Sequence, residues 1–164
     1  MYWITPGIRK LFSSLPNLNS VAKPKHGLST CYSFRYLRQW WEIGRSEITM
    51  GCVTPQAAIE SFGKWFPYMK GGSFQRWFGN QTHVVNWQQD GSEIKADIVQ
   101  RFSYLNGNWG MVVTNPDFYF RRGVTWTDLT ASKFSARLSP GGFIFDVKGS
   151  SAFPEDVSLA SLGC

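Results

Sequence analysis

Apolar residues recur at helical spacing near the start of the chain, and they predict a short amphipathic helix. The positions that share one helical face are Ile8, Leu11, Phe12 and Leu15. Thr5 and Pro6 stand where an N-cap residue and a first-turn proline are expected, and Pro16 ends the run.

Three more stretches have helical character. Residues 54–63 open with a Thr-Pro pair and close on Gly63, which we expect to be a C-cap. Residues 90–102 place three apolar side chains on one helical face, namely Ile94, Ile98 and Phe102. A last helix is expected to begin at Pro154, because acidic residues follow in what would be its first turn.

Aromatic and β-branched residues predict strands elsewhere. Residues 28–43 suit one or two strands, and residues 82–87 suit a short one. Alternating patterns predict further strands within residues 117–123, 134–138 and 142–147, with a turn at the Ser-Pro-Gly-Gly sequence of residues 139–142. The predicted fold class is α+β: residues 1–164 form a single, β-rich domain with short helices.

Composition supports a folded chain with an anionic partner. The sequence has 164 residues, of which 43% are hydrophobic and 17% charged, and a chain of this kind can bury a core. Its net charge of +6 favours a negatively charged partner, but charge alone does not distinguish DNA, RNA or an acidic membrane. We found no stretch that could span a membrane and no secretory leader, so a cytoplasmic location is expected.

Neither cysteines nor histidines indicate a disulfide framework or a metal site. Cys31, Cys52 and Cys164 are far apart in the sequence, which fits reduced thiols. Residues 114–120 contain an Asn-Pro-Asp-Phe sequence that is similar to the catalytic loop of amino-group DNA methyltransferases. Asp117 replaces the second proline of that loop, and no glycine-rich turn for a methyl donor precedes it. We interpret this similarity as coincidence.

Residues 64–80 raise the main functional question of the sequence. They contain six aromatic residues and three cations but no acid. We predict that the cations Lys64, Lys70 and Arg76 meet phosphates, and that Gly71 and Gly72 let the backbone come close to a nucleic-acid strand. The alternative is that the aromatic residues belong to the core and the two glycines form an ordinary turn.

A second basic group follows between residues 117 and 138. Its members are Arg121, Arg122, Lys133 and Arg137. Arginine presents a fork that matches guanine or phosphate, so this group is a candidate reader of bases; the alternative is a hairpin with a basic outer face. If one strand runs through residues 117–123, Arg121 shares the outer face with Tyr119 and reads bases, while Arg122 lies on the side of Phe118 and Phe120 as a rim or phosphate residue.

Taken together, four blocks of the sequence resemble a known family. The blocks are residues 64–80, 84–95, 117–138 and 141–151. They are similar to the C-terminal specificity half of PglX-type adenine-specific DNA methyltransferases from BREX phage-exclusion systems, and to the related type IIG restriction-modification enzymes. The resemblance implies a DNA target-recognition domain, or part of one. Residues 30–33 depart from the loop that is usual in the family.

In that family a separate N-terminal domain binds S-adenosylmethionine and methylates a flipped adenine, so this chain is expected to hold no cofactor and to be inactive alone. The expected partners are double-stranded DNA and other defence-system proteins, with no membrane. We assign Lys64, Lys70, Arg76 and Lys133 to phosphate. The candidates for base edges are Arg121, Arg122, Arg137 and Asn80, and of the two neighbouring arginines Arg121 is favoured as the reader. The rival readings are a module for single strands or glycans and a protein-interaction domain without DNA contacts.

Overall fold

The computed structural model describes residues 4–129 and 133–154. Within them are four α-helices: α1 Pro6–Ser14, α2 Ser33–Tyr36, α3 Pro55–Glu60 and α4 Gln88–Arg101. The first strands along the chain are β1 Ala22–Lys25, β2 Leu37–Gln39, β3 Trp65–Met69 and β4 His83–Asn86. The remaining strands are β5 Gly123–Trp126, β6 Ala136–Ser139, β7 Ile144–Phe145 and β8 Ser151–Pro154.

The strands form two four-stranded sheets, which confirms the predicted α+β class. The first sheet has the order β1-β8-β5-β6, and all its pairs are antiparallel. The second sheet has the order β2-β4-β3-β7, in which β3 and β7 are parallel and the other pairs antiparallel. No helix in the described part of the chain is long and apolar enough to cross a membrane.

Strand β3 lies inside the second sheet and is buried along its whole length. Phe66 and Tyr68 belong to the main core, which also includes Val85, Ile94 and Phe145, whereas Trp65 packs with Ile48 and Val84 in a smaller cluster. Both faces of β3 are therefore covered, which explains why its sequence is apolar without alternation.

Helix α4 confirms the predicted apolar face. Ile94 and Ile98 are fully buried, and Phe102 packs against the core just after the helix ends. The first turn is unusual because residues 89–91 have left-handed backbone angles. Gly91 is required there, since a Cβ atom would come within 2.4 Å of the Trp87 ring.

The two helices that begin with Thr-Pro pairs are also confirmed. In α3 the Thr54 hydroxyl accepts a 3.1 Å hydrogen bond from the Ala57 N–H, as an N-cap should. The predicted C-cap is wrong, because α3 ends at Glu60. Gly63 has another role: a Cβ atom on it would lie 2.0 Å from the Thr49 hydroxyl.

The strand prediction for residues 117–123 is wrong. A 3₁₀ turn covers Pro116–Phe118, and Phe120 adopts a left-handed φ of 68°. Tyr119 and Phe120 are each only 1% exposed because both enter the core, where Tyr119 contacts Trp87 and Phe120 contacts Phe66. Tyr119 therefore does not share an outer face with Arg121.

Two other sequence predictions need adjustment. Residues 28–43 contain one three-residue strand, β2, preceded by the short helix α2. Pro154 is the last residue of β8, and the helix predicted after it lies outside the described residues.

A buried hydrogen-bond group ties the second sheet to the segment that precedes β8. The Tyr68 hydroxyl donates to the Asp146 carboxylate at 2.7 Å and lies 3.0 Å from the Leu28 carbonyl oxygen. The other Asp146 oxygen accepts from the Lys148 N–H at 2.6 Å. Burial, and then the Asp146 charge, raise the pKa of Tyr68 well above 10.0, so the phenol stays protonated in the folded protein.

We predict that Tyr68→Phe lowers the free energy of unfolding by about 1–3 kcal/mol near neutral pH, because Asp146 loses a buried donor. In the unfolded chain the Tyr68 phenol ionises as the pH rises above 10.0, whereas the folded protein keeps it protonated because its pKa is raised. The stability linked to this raised pKa is therefore present below pH 10 and is lost as the pH rises beyond it. Urea unfolding at neutral and alkaline pH should show a shallower alkaline decline for Tyr68→Phe than for the wild type. Tyr104→Phe is the control because Tyr104 is 73% exposed; equal declines for all three proteins would contradict the prediction.

Candidate nucleic-acid interface

The aromatic residues of the segment 64–80 divide into two groups. Trp65, Phe66 and Tyr68 are buried in β3, whereas the loop of residues 73–79, called here the aromatic loop, exposes its rings. Their exposed fractions are 44% for Phe74, 49% for Trp77 and 66% for Phe78. The interpretation that the aromatic residues belong to the core is therefore correct for the first half of the segment, whereas the second half presents its rings at the surface.

The aromatic loop runs along the free edge of β6. The Trp77 N–H donates to the Ala136 carbonyl at 3.0 Å, and the Leu138 N–H donates to the Trp77 carbonyl at 2.9 Å. These bonds form a parallel bridge between Trp77 and Arg137. The bridge fixes the loop backbone beside the first sheet and leaves the Trp77 ring half exposed.

Arg137 lies beneath the aromatic loop and donates hydrogen bonds to two hydroxyl groups, which in turn hold the loop backbone. Its Nη1 atom donates to the Ser135 hydroxyl at 2.7 Å, and its Nη2 atom donates to the Thr127 hydroxyl at 3.1 Å. The Ser135 hydroxyl in turn donates to the Gln75 carbonyl at 2.7 Å, and the Thr127 hydroxyl to the Gly72 carbonyl at 3.3 Å. The guanidinium thus supports the start of the aromatic loop from inside.

This position corrects the expectation that Arg137 presents its side chain to base edges. Arg137 is only 1% exposed, and its Nε atom is buried without a hydrogen-bond partner among the described residues. Burial lowers the pKa of Arg137. In this arrangement Arg137 positions the loop and does not reach a ligand at the surface.

Other predicted cations are exposed near the aromatic loop. Arg76 belongs to the loop, with its guanidinium 6.0 Å from the centre of the Trp77 ring, and Lys133 is exposed just before β6. Lys133 precedes Phe134, which is 67% exposed. Cations and accessible rings therefore occur together on this side of the first sheet.

Acidic residues compensate positive charge mainly around α4. Asp90, Glu93 and Asp97 form ion pairs with the cations Lys95, Arg35 and Arg101. Within residues 4–129 and 133–154, no ion pair involves Lys64, Lys70, Arg76, Arg121, Arg122 or Lys133. The charge available to an anionic partner thus lies away from α4.

The structure separates two cations that lie close in the sequence. Lys64 precedes β3 and Lys70 follows it, so the strand holds them at opposite ends. The Lys64 ammonium lies 5.8 Å from the centre of the Trp65 ring. Lys70 is half-buried near His83; burial lowers the pKa of His83, and the positive charge of Lys70 lowers it further.

Gly71, Gly72 and Asn80 have roles within the chain itself. A Cβ atom on Gly71 would lie 2.6 Å from the Lys148 carbonyl oxygen, and one on Gly72 would lie 3.0 Å from the Asn80 amide. The Asn80 amide donates to the Ser73 carbonyl at 3.0 Å and closes the loop. These contacts explain the two glycines without a ligand.

Arg121 and Arg122 lie just before β5, both exposed. Since Gly123 pairs with Ser139 and Trp126 with Ala136, these arginines and Lys133 occupy opposite ends of the β5–β6 hairpin. Arg121 lies 4.9 Å from the centre of the Phe118 ring, and Lys25 lies at the same distance from that ring. Lys25 is not among the cations that the sequence predicted, because its contact with the Phe118 ring joins residues that are far apart in the chain.

The Asn-Pro-Asp-Phe sequence makes contacts within the chain. Asn115 donates its amide to the His26 carbonyl at 2.9 Å, and the Thr114 hydroxyl donates to the Gly27 carbonyl at 2.7 Å. The Asn115 amide therefore contributes to folding in this structure, which fits its interpretation as a coincidental match.

Comparison with known proteins shows what this chain is similar to. No family model matches the chain. Over 156 residues, 94% of its length, it is 33% identical to the adenine-specific methyltransferase PglX of Lacticaseibacillus casei (strain Zhang). The chain is similar to a segment of an adenine-specific methyltransferase. It is also 33% identical over 156 residues to the adenine-specific methyltransferase BrxX of Escherichia coli O9:H4 (strain HS).

The PglX resemblance inferred from the four sequence blocks is thereby confirmed. The chain spans only 12% of the PglX relative and 11% of BrxX. The chain therefore corresponds to a small part of each of these two enzymes.

We predict that Arg137→Met loosens the aromatic loop. The substitution removes both guanidinium hydrogen bonds and keeps an apolar side chain of similar length. Hydrogen bonds to charged groups contribute about 1.5–3 kcal/mol each to stability. Part of that loss is offset, because a buried charge and its desolvation cost are removed as well. Hydrogen exchange should therefore speed up at the Gln75 and Trp77 amides more than at β3 amides.

Arg76→Met is the matched control for this experiment, because Arg76 is exposed and the same charge is removed. It should leave exchange at both loop amides unchanged. Equal exchange in the wild type and in Arg137→Met would show that Arg137 does not hold the loop.

Proposed function

We propose that this chain recognises double-stranded DNA and supplies sequence choice to an adenine-specific methyltransferase of a phage-defence system. The observation that carries the proposal is the aromatic loop with its neighbouring cations, which have no ion-pair partner among the described residues. The names of the relatives PglX and BrxX describe adenine-specific methylation, and this similarity supports DNA as the negatively charged partner of the chain.

Charge and shape give different parts of the proposed interface different tasks. Exposed lysines and arginines neutralise phosphates and position a protein on DNA without reading its sequence. We assign this task to Arg76 and Lys133 beside the aromatic loop, and to Lys64 and Lys70 at the ends of β3. The half-exposed Trp77 adds a flat apolar surface that suits the sugar-phosphate rim or an unstacked base.

Base reading is assigned to the end of the hairpin where Arg121 and Arg122 lie. A guanidinium donates two parallel hydrogen bonds to the O6 and N7 atoms of guanine in the major groove. Arg121 leans on the Phe118 ring, which limits its rotamers, so we assign base reading to Arg121. Arg122 follows it next to Gly141 and is assigned to phosphate.

Methyl transfer itself is assigned to polypeptide outside this chain. S-adenosylmethionine would be bound by the rest of such a methyltransferase and not by this chain.

We predict that calorimetry detects no binding of S-adenosylmethionine to the isolated chain at micromolar concentrations. Micromolar affinity would overturn this division of roles.

We predict that the chain binds a random-sequence duplex more tightly than either single strand or a neutral oligosaccharide, as measured by fluorescence anisotropy. Arg76→Ala, Lys133→Ala and Lys70→Ala should each weaken duplex binding for all sequences and lower the salt slope by about 1. Arg101→Ala is the control, because Arg101 is already paired with Asp97. Tighter binding of a single strand or an oligosaccharide would favour the rival modules, and no binding to any of them would favour a protein-interaction domain.

We predict different effects for the two neighbouring arginines. When duplexes bound from a randomised library are sequenced, Arg121→Ala should relax preference at one base position by about 1–3 kcal/mol, whereas Arg122→Ala should weaken binding to all sequences alike. Altered preference for Arg122→Ala alone would reverse the two assignments. Unchanged preference in both variants would remove this end of the hairpin from the reading surface.

A further inference from the structure

Helix α1 exposes its apolar face. None of its nine residues is buried. The exposed fractions are 47% for Ile8, 52% for Leu11, 82% for Phe12 and 61% for Leu15. With Leu18 they line a groove of about 500 Å³ on the surface.

A helix of this length needs a partner to be stable. Helices shorter than about 12–15 residues are marginal in water, and most of their stability in proteins comes from packing an apolar face. Thr5 occupies the N-cap position but makes no capping bond through its side chain. Neither local bonds nor packing within the described chain thus accounts for the stability of α1.

We propose that the apolar face of α1 docks onto the part of the adenine-specific methyltransferase that lies outside this segment. The relatives contain far more polypeptide than the chain spans, since it covers 12% of PglX and 11% of BrxX. A segment that serves such an enzyme must be held at a fixed position beside the remaining domains. An unpartnered apolar face supplies that attachment.

A second copy of the chain is a poorer occupant. Arg9 borders the apolar face. Two copies packed through this face would bring like charges together, whereas a partner with acidic residues around an apolar patch complements both features.

The face lies on a different part of the sequence from the proposed DNA contacts. Its residues precede β1, while the aromatic loop borders β6 at the other edge of the first sheet. The docking proposal therefore does not depend on DNA binding, and each can fail without the other.

The test is co-purification with the PglX enzyme of Lacticaseibacillus casei from which the 156 matching residues have been deleted. The tagged chain should retain that protein after nuclease treatment. The double variant Leu11→Ser/Phe12→Ser should reduce the retained amount at least tenfold, whereas the control Lys10→Ser/Ser14→Ala, on the polar face, should retain it as the wild type does. Circular dichroism and duplex binding of each variant report whether the rest of the domain is intact.

Two outcomes would overturn the proposal. In the first, the wild-type chain does not retain the truncated PglX enzyme; in the second, the wild type and the Leu11→Ser/Phe12→Ser variant retain equal amounts of it. Sedimentation showing a dimer that this variant abolishes would assign the face to a second copy.

Discussion

The complete burial of β3 is the constraint on which the rest of the structure depends. A five-residue strand covered on both faces must bring its polar atoms to internal partners, and the Tyr68 hydroxyl finds them in Asp146 and in the Leu28 carbonyl. Asp146 then fixes the turn at Lys148, whose carbonyl comes so close to Gly71 that no side chain fits there. The chain that leaves β3 is thereby directed towards the first sheet.

The aromatic loop follows from this path. After the crossing at Gly71 the chain reaches the edge of β6, where two backbone hydrogen bonds hold Trp77. A sheet edge that would otherwise present unpaired backbone groups is covered, and the rings point outward. At the opposite edge, β1 contains Pro24 between two lysines, so the exposed edges of this sheet are protected in two different ways.

The buried Arg137 links the first sheet to the conformation of the aromatic loop. A guanidinium that contacts hydroxyls instead of a carboxylate is costly to bury, and its Nε atom lacks a partner among the described residues. Its hydrogen bonds lead through Ser135 and Thr127 to the backbone at Gln75 and Gly72. We interpret this arrangement as a support that holds an exposed loop in one conformation.

The sequence by itself determined the α+β class, the helices at Pro6 and Pro55, the buried face of α4 and the resemblance to PglX. These features are local or compositional: caps lie beside the helices they begin, and the apolar period of α4 needs only its own residues. The sequence also showed that residues 64–80 combine aromatic rings with cations, because that property does not depend on folding.

Only the tertiary structure decided which of those rings and cations reach the surface. Residues 117–123 have the alternation of a strand, yet Tyr119 and Phe120 both enter the core because contacts with Trp87 and Phe66 outweigh local preference. Arg137 is inside for the same kind of reason, since pairing across β6 places it beneath the loop. Burial depends on residues that are distant in the chain, and a periodic pattern holds no information about them.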